Sequence, residues 1–172
     1  MSPGAALSLR GISRRYGAVQ ALNGVSLRVA PGEVHAVLGE NGAGKTTLMH
    51  VAYGLVRPDA GEVALGAGGV SPHSPRDARR LGAGLVHQHF TSVAALTVAE
   101  NIVLQAGWRG RPRELRARVE RAIERAGLSL DPDALAGALP VAGRQRLEIV
   151  KALAGDATLL LLDEPTAVLA PA

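Results

Sequence analysis

Residues 39–46 read GENGAGKT, Gly39-Glu40-Asn41-Gly42-Ala43-Gly44-Lys45-Thr46, and this stretch decides the fold. It matches the spacing G-x-x-x-x-G-K-[ST] in the setting that the motif requires. An apolar, strand-like run, EVHAVL (33–38), leads into it, and a helical pattern, KTTLMHVAYG (45–54), follows and is closed by Gly54. Glycines let the backbone curl so that successive N–H groups point inward at phosphate oxygens. The helix beginning near Lys45 adds the partial positive charge of its N-terminus. Lys45 supplies a full charge for the β- and γ-phosphates of a nucleotide, and the Thr46 hydroxyl is of the kind that ligates Mg²⁺. Gly39, Glu40, Asn41, Gly42, Ala43, Gly44, Lys45, Thr46 and Thr47 are the candidate nucleotide contacts.

Working outward, short strands are expected over 7–12, 25–29 and 33–38, with Pro31-Gly32 as a turn and RRYGAVQALNG as the connection between the first two. GEVALG (61–66) and AGLVHQ (83–88) read as further strands, and SPRDARRLG as a helical turn with Ser74 before Pro75. From residue 97 the pattern turns helical. Thr97 with Glu100 has capping-box spacing. In PRELRARVERAIERAG (112–127), Leu115, Val119, Ala122, Ile123 and Ala126 recur at helical spacing and Gly127 ends the run. A third helix is expected over 142–154, and TLLLLD (158–163) as a fully buried strand. The order of strands, helix, strands, helices and strand makes this an α/β domain.

That last strand matters because of what it delivers. In folds built on a phosphate loop, a second strand ends near the same phosphates, and its terminal Asp holds the metal shell. Asp163 stands at that place and Glu164 beside it, where a carboxylate can polarise an attacking water. An Asp-Glu-Pro turn that caps a buried strand is the plainer alternative, and it loses force once the phosphate loop is present.

Composition bounds the rest. The 172 residues are 47% hydrophobic, enough for a folded core, and only 2% aromatic, so aliphatic side chains carry the packing. The scarcity of aromatics argues against a base-stacking nucleic-acid binder. A net charge of +4 comes from seventeen arginines and only two lysines, Lys45 and Lys151, against fifteen acids. With no cysteine, disulfides and thiolate metal sites are excluded. The five histidines offer no HExxH pattern. No secretory signal is legible at the N-terminus, and no apolar run approaches the roughly 18 residues a membrane span needs. A soluble, intracellular protein is expected.

GENGAGKT, LVHQHF (85–90), GRQRLEIVKAL (143–153) and LLLLDEPTAVLAP (159–171) together resemble the ATP-binding subunit of an ABC transporter, over nearly the whole chain. The resemblance implies a P-loop NTPase cassette with an N-terminal antiparallel β subdomain, and a sheet left incomplete at the C-terminus. It implies one partial domain over 1–172, with 1–88 and 147–172 as ATPase core and 89–146 as a helical subdomain that docks on a membrane partner. It implies ATP and Mg²⁺ as ligands. Tyr16 looks like the aromatic that stacks on adenine, an ordinary turn tyrosine being the alternative. Gln88 looks like the glutamine that approaches Mg²⁺ and the attacking water. Asp163 looks like the metal-binding aspartate and Glu164 like the catalytic glutamate, which with Gln88 and Lys45 completes the candidate catalytic set. Thr46, Gln88 and Asp163 are the candidate metal set. The wording VHQHF, LTVAENIVL, EIVKAL and DEPTAVLAP looks like the importers of simple sugars and nucleosides, with His87 and His89 around Gln88 favouring nucleosides.

The expected partners are a second ATPase domain in a head-to-tail dimer, permease subunits and, indirectly, a solute-binding protein, with no nucleic acid. The expected place is the cytoplasmic face of the membrane. Two departures qualify this. Where the family signature L-S-x-G-x-Q supplies a serine and a glycine, LPVAGRQ has Pro140 and Ala142. Proline has neither hydroxyl nor N–H to donate, and alanine adds a methyl. Gly143, one residue on, offers a close approach in a shifted register. The family's switch histidine should also follow beyond Ala172, so the terminus reads as a cut. A nucleotide-holding fragment without turnover is therefore one alternative, and a soluble cassette ATPase acting on nucleic acid or ribosomes another.

Overall fold

The chain opens as a long hairpin. β1 (Leu7–Tyr16) pairs antiparallel with β2 (Val19–Val29), and Tyr16 stands opposite Val19 across a turn of only two residues. Gly17, at φ 56°, supplies the left-handed conformation that so tight a turn requires. The connection expected to be a loop is therefore mostly strand. The computed structural model describes residues 6–66 and 68–164. These divide into two compact units, one up to Gly84 and one from Leu85.

In the first unit, β1 is the centre of a three-stranded sheet of order β2-β1-β3, with β3 spanning Ala60–Leu65. Leu7 and Leu9 point to one face, and the register shifts before Ile12. That irregularity restores Ile12 to the buried side, out of the two-residue period. All three side chains are buried, with Leu22, Val63 and Leu65. The expected glycine-loop helix forms as α1 (Lys45–Ala52), and α2 (Pro75–Arg80) begins as expected at Ser74, whose Oγ accepts from the Asp77 N–H at 3.2 Å.

The strand expected over 33–38 does not form. Residues 33–40 are irregular, and Val34 and Leu38 are 99% and 88% exposed. A β-strand is a member of a ladder, and no strand among the described residues pairs with this segment.

Among the described residues the second unit contains three α-helices, α3 (Val98–Ala106), α4 (Pro112–Arg125) and α5 (Val141–Leu153). The capping box read from Thr97 and Glu100 is present, with the Glu100 N–H on Thr97 Oγ1 at 3.1 Å and the Thr97 N–H on Glu100 Oε2 at 2.8 Å. α4 buries Val119 and Ile123, the centre of its apolar stripe. They join Val98, Ile102, Ala136, Leu147 and Val150 in one cluster, and each large aliphatic side chain so buried contributes about 1.5–3 kcal/mol.

Beside the helices, β4 (Ala83–Val86), which straddles the division between the units, pairs with β5 (Leu159–Leu162). The leucine run is not fully buried, as its composition suggests. Leu161 is 5% exposed, but Leu162 is 43% exposed, because β5 has β4 as its one neighbour among the described residues.

Candidate functional site

The glycine loop is built around its lysine. Lys45 is the first residue of α1, and its ammonium donates to two carbonyls of the loop, Gly39 O and Glu40 O, each at 2.9 Å. The Ala43 N–H closes a turn onto Glu40 O at 3.1 Å. Gly44 caps the helix in the left-handed region, at φ 91°, and a methyl group there would stand 2.4 Å from Ala21 O of β2 and 3.1 Å from the Leu22 side chain. The requirement for glycine is thus both conformational and steric.

No acid occupies the first turn of α1, so the helix N-terminus and Lys45 bring positive potential to the loop, whose one acid is Glu40. Glu40, Asn41, Gly42 and Ala43 are exposed, and Thr46 and Thr47 are half-buried at the start of the helix. The loop has the make-up of a phosphate cradle.

Tyr16 ends β1 with its ring 45% exposed, and the Arg14 guanidinium covers one face at 4.9 Å from the centroid. Asp59 fixes that arrangement, accepting from Arg14 Nη1 at 2.6 Å and from the Arg15 N–H at 2.7 Å. The Arg15 N–H is the main cause holding the Asp59 carboxyl below its ordinary pKa. Desolvation opposes it, and the Arg14 guanidinium adds to the lowering. A stacking role for Tyr16 is thus confined to the ring face that Arg14 leaves.

In the second unit, Gln88 and Glu164 come together from 76 residues apart, Gln88 Nε2 donating to Glu164 Oε2 at 2.7 Å. Gln88 lies two residues past β4, and Asp163 directly follows β5. The Asp163 N–H continues the pairing onto Val86 O at 3.0 Å, and its residue is 3% exposed. Glu164 sits at φ 48°, a conformation that non-glycine residues adopt uncommonly. The two sheet strands therefore deliver an amide and two carboxylates to one end. Residues 165–172 lie outside the described residues.

A hydroxyl from Thr46, a carboxylate from Asp163 and an amide oxygen from Gln88 are hard oxygen donors, the chemistry that Mg²⁺ takes. Among the described residues no group of three or more His, Cys, Asp and Glu is assembled as a cage.

At the start of α5, Pro140 occupies the N-cap position with no side-chain cap, Ala142 is exposed, and Gly143 is buried against Leu139 and Pro140. A methyl group on Gly143 would lie 3.3 Å from Leu139 Cβ and Pro140 Cδ, so this glycine serves the packing of the turn.

Three buried polar side chains are not foreseen from the sequence, Asn101, Glu148 and Lys151. Asn101 is 2% exposed and binds the loop before α3, accepting from the Val93 N–H at 2.7 Å and donating to Val93 O at 3.0 Å, Leu96 O at 3.3 Å and Thr97 O at 2.9 Å. Its signal was a polar side chain on the apolar face of α3, between Val98 and Ile102. Glu148 and Lys151 of α5 are 4% and 5% exposed and form an ion pair at 3.0 Å. Burial pushes the Glu148 carboxyl up. Ser92, Lys151 and Thr91 together pull harder, so its pKa lies below the ordinary value.

The chain matches the family model described as ABC transporter over residues 22–167. It is 48% identical to a ribose import ATP-binding protein of Rubrobacter xylanophilus over 166 residues, covering 94% of this chain and 34% of that protein. A nucleoside import ATP-binding protein of Lactococcus lactis is 45% identical over 165 residues, covering 94% of this chain and 33% of its own length. Among solved structures, the ATP-binding cassette MJ0796, dimeric and bound to ADP and Pi in a post-hydrolysis state, superposes with a TM-score of 0.80 at 26% identity. That match covers 95% of this chain and 76% of the cassette. The chain spans about a third of the length of the curated import proteins it matches.

Proposed function

From the premise that the chain belongs to the ABC transporter ATP-binding family, we propose that it is the ATP-binding and ATP-hydrolysing part of an importer of simple sugars or nucleosides. The observation that carries hydrolysis is the 2.7 Å bond between Gln88 and Glu164. It joins the two groups that an attacking water needs at the end of the strand pair that also delivers Asp163. The names of the relatives supply the solute class, ribose and nucleosides.

In this reading Lys45 leaves the carbonyls of Gly39 and Glu40 and binds the β- and γ-phosphates, assisted by the N–H groups of residues 42–46 and the α1 N-terminus. Thr46, Asp163 and Gln88 are the residues whose oxygens would hold Mg²⁺. When bound, the ion supplies neutralisation of phosphate charge. Glu164 accepts a proton from water through its carboxylate, and Gln88 orients that water. Tyr16 receives the adenine on its open face. The division into an ATPase core (1–88 and 147–172) and a helical subdomain (89–146) belongs to the same proposal.

So do a second cassette bound head to tail, a separate permease and attachment at the cytoplasmic face of the membrane. No helix among the described residues is long and apolar enough to cross a membrane. A second reading, a domain that holds ATP without turning it over, is favoured by Pro140 and Ala142 at the start of α5. One experiment separates them. Glu164→Gln should retain ATP binding and lose about 10²-fold or more of the ATPase rate. Unchanged turnover would place the base elsewhere, and an inactive parent that still binds ATP would select the second reading.

A further inference from the structure

We propose that the buried Glu148–Lys151 pair is a positioning device for Gln88: it clamps the chain just downstream of that glutamine onto α5 and so fixes the amide against Glu164. The inference rests on the reading of Gln88 and Glu164 as a hydrolytic pair.

The network is closed. Glu148 Oε1 accepts from the Thr91 N–H at 2.9 Å, the Ser92 N–H at 2.9 Å and Ser92 Oγ at 2.6 Å, while Oε2 accepts from Thr91 Oγ1 at 2.8 Å. Both hydroxyls therefore give their protons to Glu148, and their lone pairs face Lys151. The three N–H groups of the ammonium are shared among four acceptors, Thr91 Oγ1 at 2.9 Å, Ser92 Oγ at 3.1 Å and both Glu148 oxygens at 3.0 Å. A lysine suits this place better than any of the seventeen arginines, because a compact ammonium can aim its donors at a cluster of acceptors where a planar fork cannot.

Val86 is fixed by the Asp163 N–H at 3.0 Å, Thr91 and Ser92 by Glu148, and residues 93–97 by Asn101. Gln88 thus lies between two anchored points, two residues past Val86 and three before Thr91. A buried ion pair is poor evidence for stability, since a well-packed apolar pair of similar volume often does as well. An apolar pair could not accept the Thr91 and Ser92 N–H groups; Thr91 is exposed and Ser92 half-buried, so both N–H groups would turn to water and release the segment from α5. α5 also begins at Pro140, so the clamp ties the Gln88 span to the helix that carries the signature-position residues.

The test compares two double variants of the full chain, each lacking both charges. Glu148→Gln with Lys151→Met keeps an acceptor for the two N–H groups. Glu148→Leu with Lys151→Met removes it. The readouts are the side-chain amide resonances of ¹⁵N-labelled Gln88, their response to Glu164→Ala, and backbone exchange at Thr91 and Ser92. The Leu/Met variant should shift the Gln88 resonances, abolish their response to Glu164→Ala and speed exchange at Thr91 and Ser92 about tenfold or more. The Gln/Met variant should retain the parent signals. Gln88 resonances in the Leu/Met variant that still match the parent and still respond to Glu164 would overturn the proposal, as would equal loss in both variants. Should the Leu/Met variant not fold, Thr91→Val with Ser92→Ala should move the Gln88 signals in the same direction, and unmoved signals would again overturn it. MgATP binding is measured on the same samples. A parent that binds none contradicts the proposed function, while the Gln88 resonances still decide this inference.

Discussion

Replacing Gly44 by alanine should damage the first unit through two separable costs. The residue sits at φ 91°, and its new methyl group would lie 2.4 Å from the backbone oxygen of Ala21, with Leu22 Cδ2 at 3.1 Å. The left-handed conformation costs an L-residue about 1–2 kcal/mol. Forcing a methyl into a strand that cannot yield costs about 1–3 kcal/mol more. Gly42 is the internal control, because its φ of 85° carries the first cost while a methyl there meets nothing within 4 Å. Gly44→Ala should therefore exceed Gly42→Ala by about 1–3 kcal/mol, a difference of about 0.5–1.5 M in urea midpoint for a protein of ordinary m-value. Both tyrosines, Tyr16 and Tyr53, lie in the first unit, so tyrosine absorbance followed through the urea transition reports on it. Equal midpoints for the two variants would refute the steric argument and leave the backbone conformation as the whole of the glycine requirement.

The second unit carries its own predictions. Lys151→Met strips Glu148 of its buried partner, and the lone Trp108 should report a loss of about 3–5 kcal/mol in urea. Glu148→Gln combined with Lys151→Met should recover most of that loss, since no buried charge is then left alone. Acid should expose the same pair. Because the folded-state pKa of Glu148 is depressed, its contribution is fully present above the unfolded value of about 4.3 and is lost as pH falls below that and through the folded value. A fluorescence-monitored stability profile should thus fall below about pH 4, and the neutral double variant should fall less steeply.

What could be read before the fold was known is what depends on near neighbours. The capping box at Thr97, the Ser74 cap, the α4 stripe and the GENGAGKT turn each involve residues within about two helical turns of one another, and the spacing alone specifies them. Residues 33–38 show the limit of such reading. EVHAVL has strand composition, but a strand exists only where a neighbour accepts its hydrogen bonds, and composition does not say where that neighbour is. The leucines of β5 fail similarly, since exposure of Leu162 depends on which side of the strand is covered. The clamp was hidden for another reason. Glu148 and Lys151 look like an ordinary surface pair at i, i+3 on a charged helix, and only the return of Thr91 and Ser92 against α5 buries them. For the candidate site, the loop residues and the two terminal acids were legible in advance, whereas the contact of Gln88 with Glu164 had to be seen.

Calorimetric titration of the chain with MgATP is the sharpest check that GENGAGKT holds the phosphates of ATP through Lys45. Saturable binding at one site is predicted, reduced by about tenfold or more in Lys45→Ala while the unfolding midpoint of the first unit stays near that of the parent. Equal affinity in parent and variant would contradict the account.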